Sequence, residues 1–168
     1  MPWRVSCLQI NCTYHLNHER DTQAWAKRLA TALNAGDVLA LSGELGAGKS
    51  VFARALMRAL GVTDEALPSP TYALIQEYQG VTCGGNACSI AHMDLYRLND
   101  AEEVEMLGIR DFFAPPWICL IEWAERAGSV LPDALIQLEL LYVEGNPNER
   151  QVTLSACQAL HDAVAMRD

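Results

Sequence analysis

The chain has 168 residues, of which 51% are hydrophobic and 20% charged, and its formal net charge is −9. These values favour one globular domain and exclude a disordered or fibrous chain. An acidic surface repels the phosphodiester backbone, so no DNA partner and no direct contact with RNA are expected. The N-terminal stretch MPWRVSCLQINC has no apolar segment of signal-peptide length, and no stretch approaches ~20 apolar residues. We therefore expect a single domain over residues 1–168, located in the cytoplasm and without a membrane partner.

Strand and helix patterns alternate along the first third of the chain. Residues 5–12, VSCLQINC, predict an opening strand, and Asp21 or Thr22 is expected to cap the helix that follows. That helix ends near Gly36, and residues 37–43, DVLALSG, are short and apolar enough for a buried parallel strand. A second helix is predicted over 50–61, with Gly61 as its stop. Its apolar stripe is expected to comprise Phe52, Ala55, Leu56, Ala59 and Leu60, with Arg54 and Arg58 facing elsewhere.

Further elements complete an α/β pattern. Residues 89–96 and 117–123 predict two strands that end at Asp94 and Glu122, and residues 99–108 predict a short helix capped by Asp100. Residues 134–143 and 150–156 alternate like an antiparallel hairpin joined by EGNPNE. The sequence therefore predicts a P-loop NTPase type of α/β fold, with a mixed, mostly parallel sheet flanked by helices and a C-terminal antiparallel hairpin.

The most informative motif is LSGELGAGKS, residues 41–50, which fits G-x-x-x-x-G-K-[ST] between a predicted strand and a predicted helix. Glycines let consecutive backbone N–H groups point at phosphate oxygens, and the helix N-terminus adds its dipole. Lys49 is expected to bridge the β- and γ-phosphates of ATP, and the Ser50 hydroxyl to bind Mg²⁺. A serine-capped glycine turn is the structural alternative. The predicted nucleotide-binding residues here are Glu44, Leu45, Gly46, Ala47, Gly48, Lys49 and Ser50.

A P-loop nucleotidase also needs a carboxylate beside the metal, at the end of a neighbouring strand. Glu122 follows the more apolar strand, so it is predicted to be the metal ligand together with Ser50. Asp94 is then the candidate that orients or deprotonates the attacking water. For either residue alone, a solvent-exposed acid at a strand end is the alternative.

Several residues near these acids allow two interpretations. Thr71 lies in PSPTY, an extended segment, where it is either a switch threonine for the γ-phosphate or Mg²⁺ or a turn hydroxyl. His92 shares a strand face with Asp94, which suggests a His–Asp contact, a phosphate-facing cluster or a buried structural histidine. Trp123 is either core or contact. Cys83 and Cys88 flank GGNA and are most simply free thiols, with a zinc or redox site as the alternative.

A series of motifs resembles one family. GELGAGKS, SPTY, HMDLYRL, LGIRDFF and ICLIEWAERAG followed by LP occur in this order, and the similarity extends from about Asp21 to about Arg150. This series closely resembles the bacterial TsaE family, the small ATPase of tRNA threonylcarbamoyladenosine biosynthesis. The resemblance implies an ATPase with catalytic Lys49, Asp94 and Glu122, in which Lys49 and Ser50 bind nucleotide and Mg²⁺ and Glu122 is a metal ligand. It also implies two partners, a threonylcarbamoyltransferase subunit and its paralogous companion, through which tRNA is reached indirectly.

The resemblance leaves some features open. Many members carry threonine where Ser50 stands, and VTCGGNACS resembles a variable hairpin. The adenine pocket has no compact motif; the Asp21–Thr22 turn and residues 144–150, EGNPNER, are the candidates by position, so Thr22 is counted among the nucleotide-binding residues. Hydrolysis is expected to be slow without partners, because no arginine is an obvious stabilising group for the γ-phosphate. Arg97 is the only candidate, since it lies beside a strand that ends in a carboxylate.

Other function classes share the loop. A small-molecule or nucleoside kinase would need an acceptor pocket and usually an arginine-bearing lid, whereas the arginines here are scattered singly. A GTPase is disfavoured because the chain has no N-K-x-D stretch. A nucleotide-dependent binding module without useful turnover is a third possibility, which phosphate-release assays would separate from an ATPase.

Overall fold

The computed structural model describes residues 9–165, which form seven strands, four α-helices and three short 3₁₀ segments. The strands are β1 (Gln9–Leu16), β2 (Val38–Ser42), β3 (Ile75–Val81), β4 (Ala87–Asp94), β5 (Trp117–Glu122), β6 (Ile136–Val143) and β7 (Asn146–Cys157). The helices are α1 (Glu19–Ala32), α2 (Lys49–Ala59), α3 (Ala101–Met106) and α4 (Gln158–Val164). The 3₁₀ segments are Ile109–Phe112, Ala124–Arg126 and Gly128–Val130.

All seven strands belong to one sheet in the order β1-β7-β6-β2-β5-β4-β3. The four central strands, β6, β2, β5 and β4, run parallel, whereas the pairs at the two margins are antiparallel. The mixed sheet and the C-terminal antiparallel hairpin are therefore confirmed, and the parallel pairings are concentrated at its centre. The carboxyl ends of parallel strands lie at the same edge of a sheet. The residues that follow β2, β5 and β4 are therefore close together at that edge.

Apolar side chains cover both faces of the sheet. One face carries α1, α2 and α4, with Trp25, Leu29, Phe52 and Leu56 packed against β2, β6 and β7. The other face is covered by α3 and the 3₁₀ segments, with Val104 among the buried residues. Alternate residues of β2 divide between the two clusters, since Leu39 and Leu41 face one and Val38 and Ala40 the other. A strand buried on both faces is the reason that DVLALSG is almost uniformly apolar.

Several helix and strand boundaries differ from the sequence prediction. The predicted opening strand overlaps β1 at Gln9–Cys12, and its residues 5–8 lie outside the described residues. Helix α1 begins earlier than expected: His18 is its N-cap, and Asp21 lies inside the first turn. The Asp21 carboxylate accepts hydrogen bonds from the backbone N–H groups of Asn17 and His18, at 3.1 and 3.0 Å. Asp21 thus supports the helix start from within the helix rather than as its cap.

Helix α2 buries a different stripe from the one expected. Phe52, Leu56 and Leu60 are buried as predicted, but Ala53 and Met57 complete the stripe, whereas Ala59 is exposed. The two apolar sets lie on adjacent faces of the helix, and the larger Met57 side chain gains more from burial than Ala59 does. The hairpin turn is also tighter than predicted, because β7 begins at Asn146 and only residues 144–145 separate it from β6.

Asp100 caps α3 as predicted, accepting hydrogen bonds from the backbone N–H groups of Glu102 and Glu103 at 3.0 Å each. Cys83 and Cys88 lie at the β3–β4 hairpin, the first exposed and the second buried, and both are free thiols. Within residues 9–165, the helices are too short or too polar for any of them to span a bilayer.

Candidate nucleotide-binding site

The glycine-rich loop connects β2 to α2 and lies against β6. Gly48, the N-cap of α2, has φ 107°, a conformation that favours glycine. Gly43 has φ 135°, and a Cβ placed there would lie 2.2 Å from the carbonyl oxygen of Leu140. The first glycine of the motif is therefore required by the close approach of β6, and the last by the left-handed turn into the helix.

Lys49 occupies the first turn of α2 and is almost completely buried. Its ammonium group donates hydrogen bonds to the carbonyl oxygens of Gly43 and Glu44, at 2.6 and 2.9 Å. It also lies 3.7 Å from the ring centroid of Trp123, a cation–π contact. Burial lowers the pKa of Lys49 from its ordinary value, while Glu122, Glu125 and Asp94 act in the opposite direction. The lysine is thus held inside the loop that would receive phosphate groups.

Trp123 contributes to this site through its backbone conformation. It follows β5 directly and has φ 59°, which is uncommon for a residue with a side chain. Its ring packs on that of Tyr96, with the centroids 4.9 Å apart. Trp123 also packs against the core on this face of the sheet, so its ring is in contact with both the core and the Lys49 ammonium group.

Ser50 and Glu122 are in direct contact. The Ser50 hydroxyl donates a hydrogen bond of 2.8 Å to Oε2 of Glu122, whose side chain is buried. Oε1 of the same carboxylate is 2.8 Å from Nε2 of His92. Because an ionised carboxylate only accepts hydrogen bonds, His92 donates from Nε2, and its buried Nδ1 has no partner among the described residues. Of the three interpretations of His92, the structure agrees with a buried histidine, since its side chain is fully buried and contacts Glu122 rather than Asp94.

Asp94 lies beside Glu122 at the same edge of the sheet, since the two residues are paired in the parallel register of β4 and β5. Its Oδ2 accepts hydrogen bonds from the hydroxyls of Ser69 and Thr71, at 2.9 and 2.6 Å. Its Oδ1 accepts one from the backbone N–H of Tyr96, at 2.9 Å. Both acids are buried, so neither is the solvent-exposed strand-end residue considered as the alternative.

Residues 66–70 have no regular secondary structure, in agreement with the non-helical segment that the prolines of PSPTY predict, and residues 71–73 form a turn rather than a continuation of an extended segment. The Thr71 hydroxyl donates a hydrogen bond to Asp94. The Ser69 hydroxyl donates to the same carboxylate oxygen, although Ser69 was not among the predicted site residues. The hydroxyls also lie within 3.0 Å of each other. The segment is therefore joined to the carboxylate edge of the sheet by two side chains.

The C-terminal hairpin supports the glycine loop from the other side. The Tyr142 hydroxyl donates to the carbonyl oxygen of Leu45 at 3.0 Å, and Nε of Arg150 donates to that of Ala47 at 3.0 Å. The Arg150 guanidinium also lies 4.4 Å from the centroid of the Tyr142 ring. Neither role was predicted, because the contacts join residues about 100 positions apart; the only sequence signal was the placement of Arg150 in a candidate adenine loop.

A cavity of about 280 Å³ opens beside the loop, at the lower end of the range for small-molecule sites. It brings together the two candidate adenine segments, since Thr22 and His18 line one wall and Pro147, Asn148 and Arg150 another. Gly46, Ala47 and Gly48 form its floor. The predicted residues Thr22 and Gly48 thus line one cavity, whereas Thr71, Asp94 and Glu122 lie around the lysine end of the loop.

A glycine loop between a parallel strand and a helix, with a buried lysine, a hydroxyl at the helix start and carboxylates on adjacent strands, defines a P-loop nucleotide-binding protein. The family described as "Threonylcarbamoyl adenosine biosynthesis protein TsaE" matches residues 16–152. The chain belongs to the TsaE family, which acts in tRNA threonylcarbamoyladenosine biosynthesis.

Curated relatives and a solved structure agree with this assignment. The tRNA threonylcarbamoyladenosine biosynthesis protein TsaE of Haemophilus influenzae is 43% identical over 108 residues, which cover 64% of this chain and 65% of that protein. The protein of the same name from Bacillus subtilis is 36% identical over 136 residues, covering 81% and 80% of the two chains. A crystal structure of Bacillus subtilis YdiB superposes with a TM-score of 0.73 and 28% sequence identity, covering 95% of this chain and 94% of that one.

Proposed function

We propose that this protein is the Mg-ATP-binding and hydrolysing component of the tRNA threonylcarbamoyladenosine modification machinery, a single P-loop ATPase domain over residues 1–168. The observation that carries the proposal is the contact between Ser50 and Glu122 beside the buried Lys49. A hydroxyl and a carboxylate oxygen 2.8 Å apart, next to a lysine, are the ligand types and charge that Mg²⁺ and a triphosphate need.

The site fits Mg²⁺ without a cage of protein ligands. No group of three His, Cys, Asp or Glu side chains in residues 9–165 is arranged around a metal position. Mg²⁺ does not require one, because it usually keeps several waters and takes one or two carboxylates together with substrate phosphates. Ser50 and Glu122 would hold the ion, which would neutralise charge on the phosphates. His92 would keep the Glu122 carboxylate oriented through Nε2.

Asp94 is assigned to the attacking water. The Asp94 carboxylate accepts three hydrogen bonds, so both of its oxygens are already engaged and held in fixed positions. We therefore assign Asp94 to orienting the water rather than deprotonating it. Ser69 and Thr71 hold the carboxylate in place. When nucleotide binds, the Thr71 hydroxyl would leave Asp94 and contact the γ-phosphate or Mg²⁺ instead.

The cavity between α1 and the β6–β7 hairpin is assigned to the adenosine part of ATP. Thr22 and Asn148 provide polar groups in its lining, which also includes Gly46, Ala47 and Gly48 of the glycine loop. The position is consistent with a nucleotide whose phosphates continue along the loop towards Lys49. The two arginines of this region are engaged by protein groups: Arg150 donates to the carbonyl oxygen of Ala47, and the Arg97 guanidinium lies 5.1 Å from the Tyr72 ring centroid.

Partner dependence follows from that arrangement. We infer that the threonylcarbamoyltransferase subunit and its paralogous companion act with this protein in the cytoplasm, so that tRNA is reached only indirectly. P-loop enzymes can gain on the order of 10³–10⁵ in rate when a partner supplies an arginine or orders a switch segment. Slow hydrolysis by the isolated chain is therefore expected, well below ~10 s⁻¹.

The experiment is phosphate release from Mg-ATP by the purified chain, alone and with the purified transferase pair. Slow release that accelerates with the pair supports the proposal. Brisk release unchanged by the pair would favour a free-standing ATPase, and transfer of phosphate to an added nucleoside or sugar would identify a kinase. Nucleotide binding without release under either condition would reduce the protein to a binding module.

A further inference from the structure

A partly apolar groove lies on the surface next to the Asp94 edge of the sheet. It has a volume of about 500 Å³ and runs between the turn after PSPTY and α3, lined by Tyr72, Leu74, Arg97, Leu98, Glu103, Met106 and Leu107. Tyr72 is 87% exposed and Met106 is 86% exposed, which are high values for side chains of this size. Neighbouring large apolar side chains in water are typical of a surface that binds another protein.

The groove is connected to the candidate ATP site through a short path of hydrogen bonds. Ser69 and Thr71, which precede Tyr72, both donate to Asp94, and the backbone N–H of Asp94 donates to the carbonyl oxygen of Leu74 at 3.0 Å. Leu74, which lines the groove, has φ 65°, a strained conformation for leucine. A residue held in such a conformation depends on its surroundings, and the backbone N–H of Asp94 is one of the groups that hold Leu74.

The charge around the groove indicates what kind of surface would bind there. Asp100, Glu102 and Glu103 lie in or directly before α3, and that helix carries no basic residue. Glu105 of the same helix is paired with Arg110 at 2.8 Å, and Arg97 also lines the groove, so the acidic rim consists of the first three residues. The whole chain has a formal net charge of −9, so a second copy or a nucleic acid would bring like charges together. A protein surface with lysines or arginines around a projecting apolar side chain complements both the groove and its acidic rim.

We propose that this groove is the docking site for a basic protein surface that inserts an apolar side chain between Tyr72 and Met106, and that Asp94 couples this docking to bound nucleotide. The identity of the partner, a member of the transferase pair, and the coupling rest on the proposed function; the docking surface itself rests on the groove. Ser69 and Thr71 are the positioning residues of the coupling. Thermodynamic linkage makes this coupling reciprocal. If bound Mg-ATP changes the affinity for the partner by some factor, the bound partner changes the affinity for Mg-ATP by the same factor.

The test measures binding of the purified transferase pair by calorimetry, for the full chain and for Tyr72→Ala and Met106→Ala. Both side chains are exposed, so truncation should leave folding intact. The matched control is Val81→Ala, an exposed apolar residue at the β3–β4 hairpin. We expect at least a tenfold rise in Kd for each groove variant and less than a twofold change for the control. Glu102→Gln should weaken binding mainly at low salt.

The coupling has its own measurement. Pair binding is measured with and without Mg-ATP, and Mg-ATP binding with and without the pair. The first ratio compares the affinity for the pair with and without Mg-ATP, and the second compares the affinity for Mg-ATP with and without the pair. We expect the two ratios to agree and to exceed fivefold, and we expect the double variant S69A and T71V to bring both towards one. Ratios below twofold in the wild type would refute the coupling.

Failure of the docking proposal is distinguishable from failure of the proposed function. Unchanged pair affinity in the groove variants, or a dimer of the chain formed through the groove, would overturn the docking site. No binding of the pair by the wild type would overturn the partner assignment of the proposed function and, with it, the pair as the occupant of the groove. Absence of Mg-ATP binding, with pair affinity still lost in the groove variants, would overturn the ATPase while leaving the docking site in place.

Discussion

Replacing Lys49 by alanine separates the nucleotide-binding role of this residue from its role in the fold. In the structure its ammonium group makes two hydrogen bonds to loop carbonyls and one cation–π contact with Trp123. On binding ATP, these contacts would be exchanged for contacts to the β- and γ-phosphates. Two charge-assisted bonds at about 1.5–3 kcal/mol each give a gross gain of about 3–6 kcal/mol, from which the loop contacts given up are subtracted.

A net loss of about 2–4 kcal/mol corresponds to a rise in Kd for Mg-ATP of roughly 30-fold to 1,000-fold. Protein stability should change far less, because the variant removes a buried cation along with its contacts, and burial of that cation is itself unfavourable. The matched control is Lys27→Ala, which removes an exposed lysine of α1. Isothermal titration with Mg-ATP provides the affinities, and thermal unfolding verifies the fold. Unchanged ATP affinity in a folded Lys49→Ala protein would refute the P-loop assignment.

The other predictions address the two acids of the site, the C-terminal hairpin that supports the glycine loop, and one buried thiol. Glu122→Gln should raise the Mg²⁺ concentration needed for ATP binding, whereas Asp94→Asn should spare Mg-ATP binding and remove turnover; equal Mg²⁺ dependence of the two variants in titrations of ATP binding would contradict this division. Arg150→Met should weaken Mg-ATP binding about tenfold by releasing the Ala47 carbonyl, with little change in turnover of saturated enzyme; a drop in turnover alone would argue against a role confined to the loop. Burial raises the pKa of Cys119 above its ordinary value, so its contribution to stability is complete below pH ~8.5 and declines as pH rises, by up to ~1.4 kcal/mol per pH unit. Cys119→Ala should flatten that decline in denaturant unfolding, and an unchanged slope would show that other groups cause it.

Local pattern and composition were sufficient for the elements whose period and end signals lie within a few residues. The run before the glycine loop identified β2, since a strand buried on both faces has to be apolar throughout. The glycine positions, Lys49 and Ser50 predicted the phosphate loop, and Asp100 predicted the start of α3. Asp94 and Glu122 were each predicted to be a functional acid at the end of a strand, and the parallel register of β4 and β5 places them side by side.

Only the tertiary structure determined which side chains meet across the sheet. Glu122 rather than Asp94 receives His92, and Asp94 instead holds Ser69 and Thr71. Alternation along a strand indicates the face on which a residue lies, but the partner depends on the neighbouring strand and on the path of a loop.

The same holds for the supports of the phosphate loop. Arg150 and Tyr142 reach it because β6 pairs with β2 and β7 pairs with β6, which places the end of the chain beside residues 43–48. Periodicity within a segment reports how that segment is buried, whereas contacts between segments about 100 residues apart are set by strand order. The sequence therefore determined most of the elements, though not β3 or α4, together with the glycine-loop motif, and the order of the strands determined what surrounds that loop.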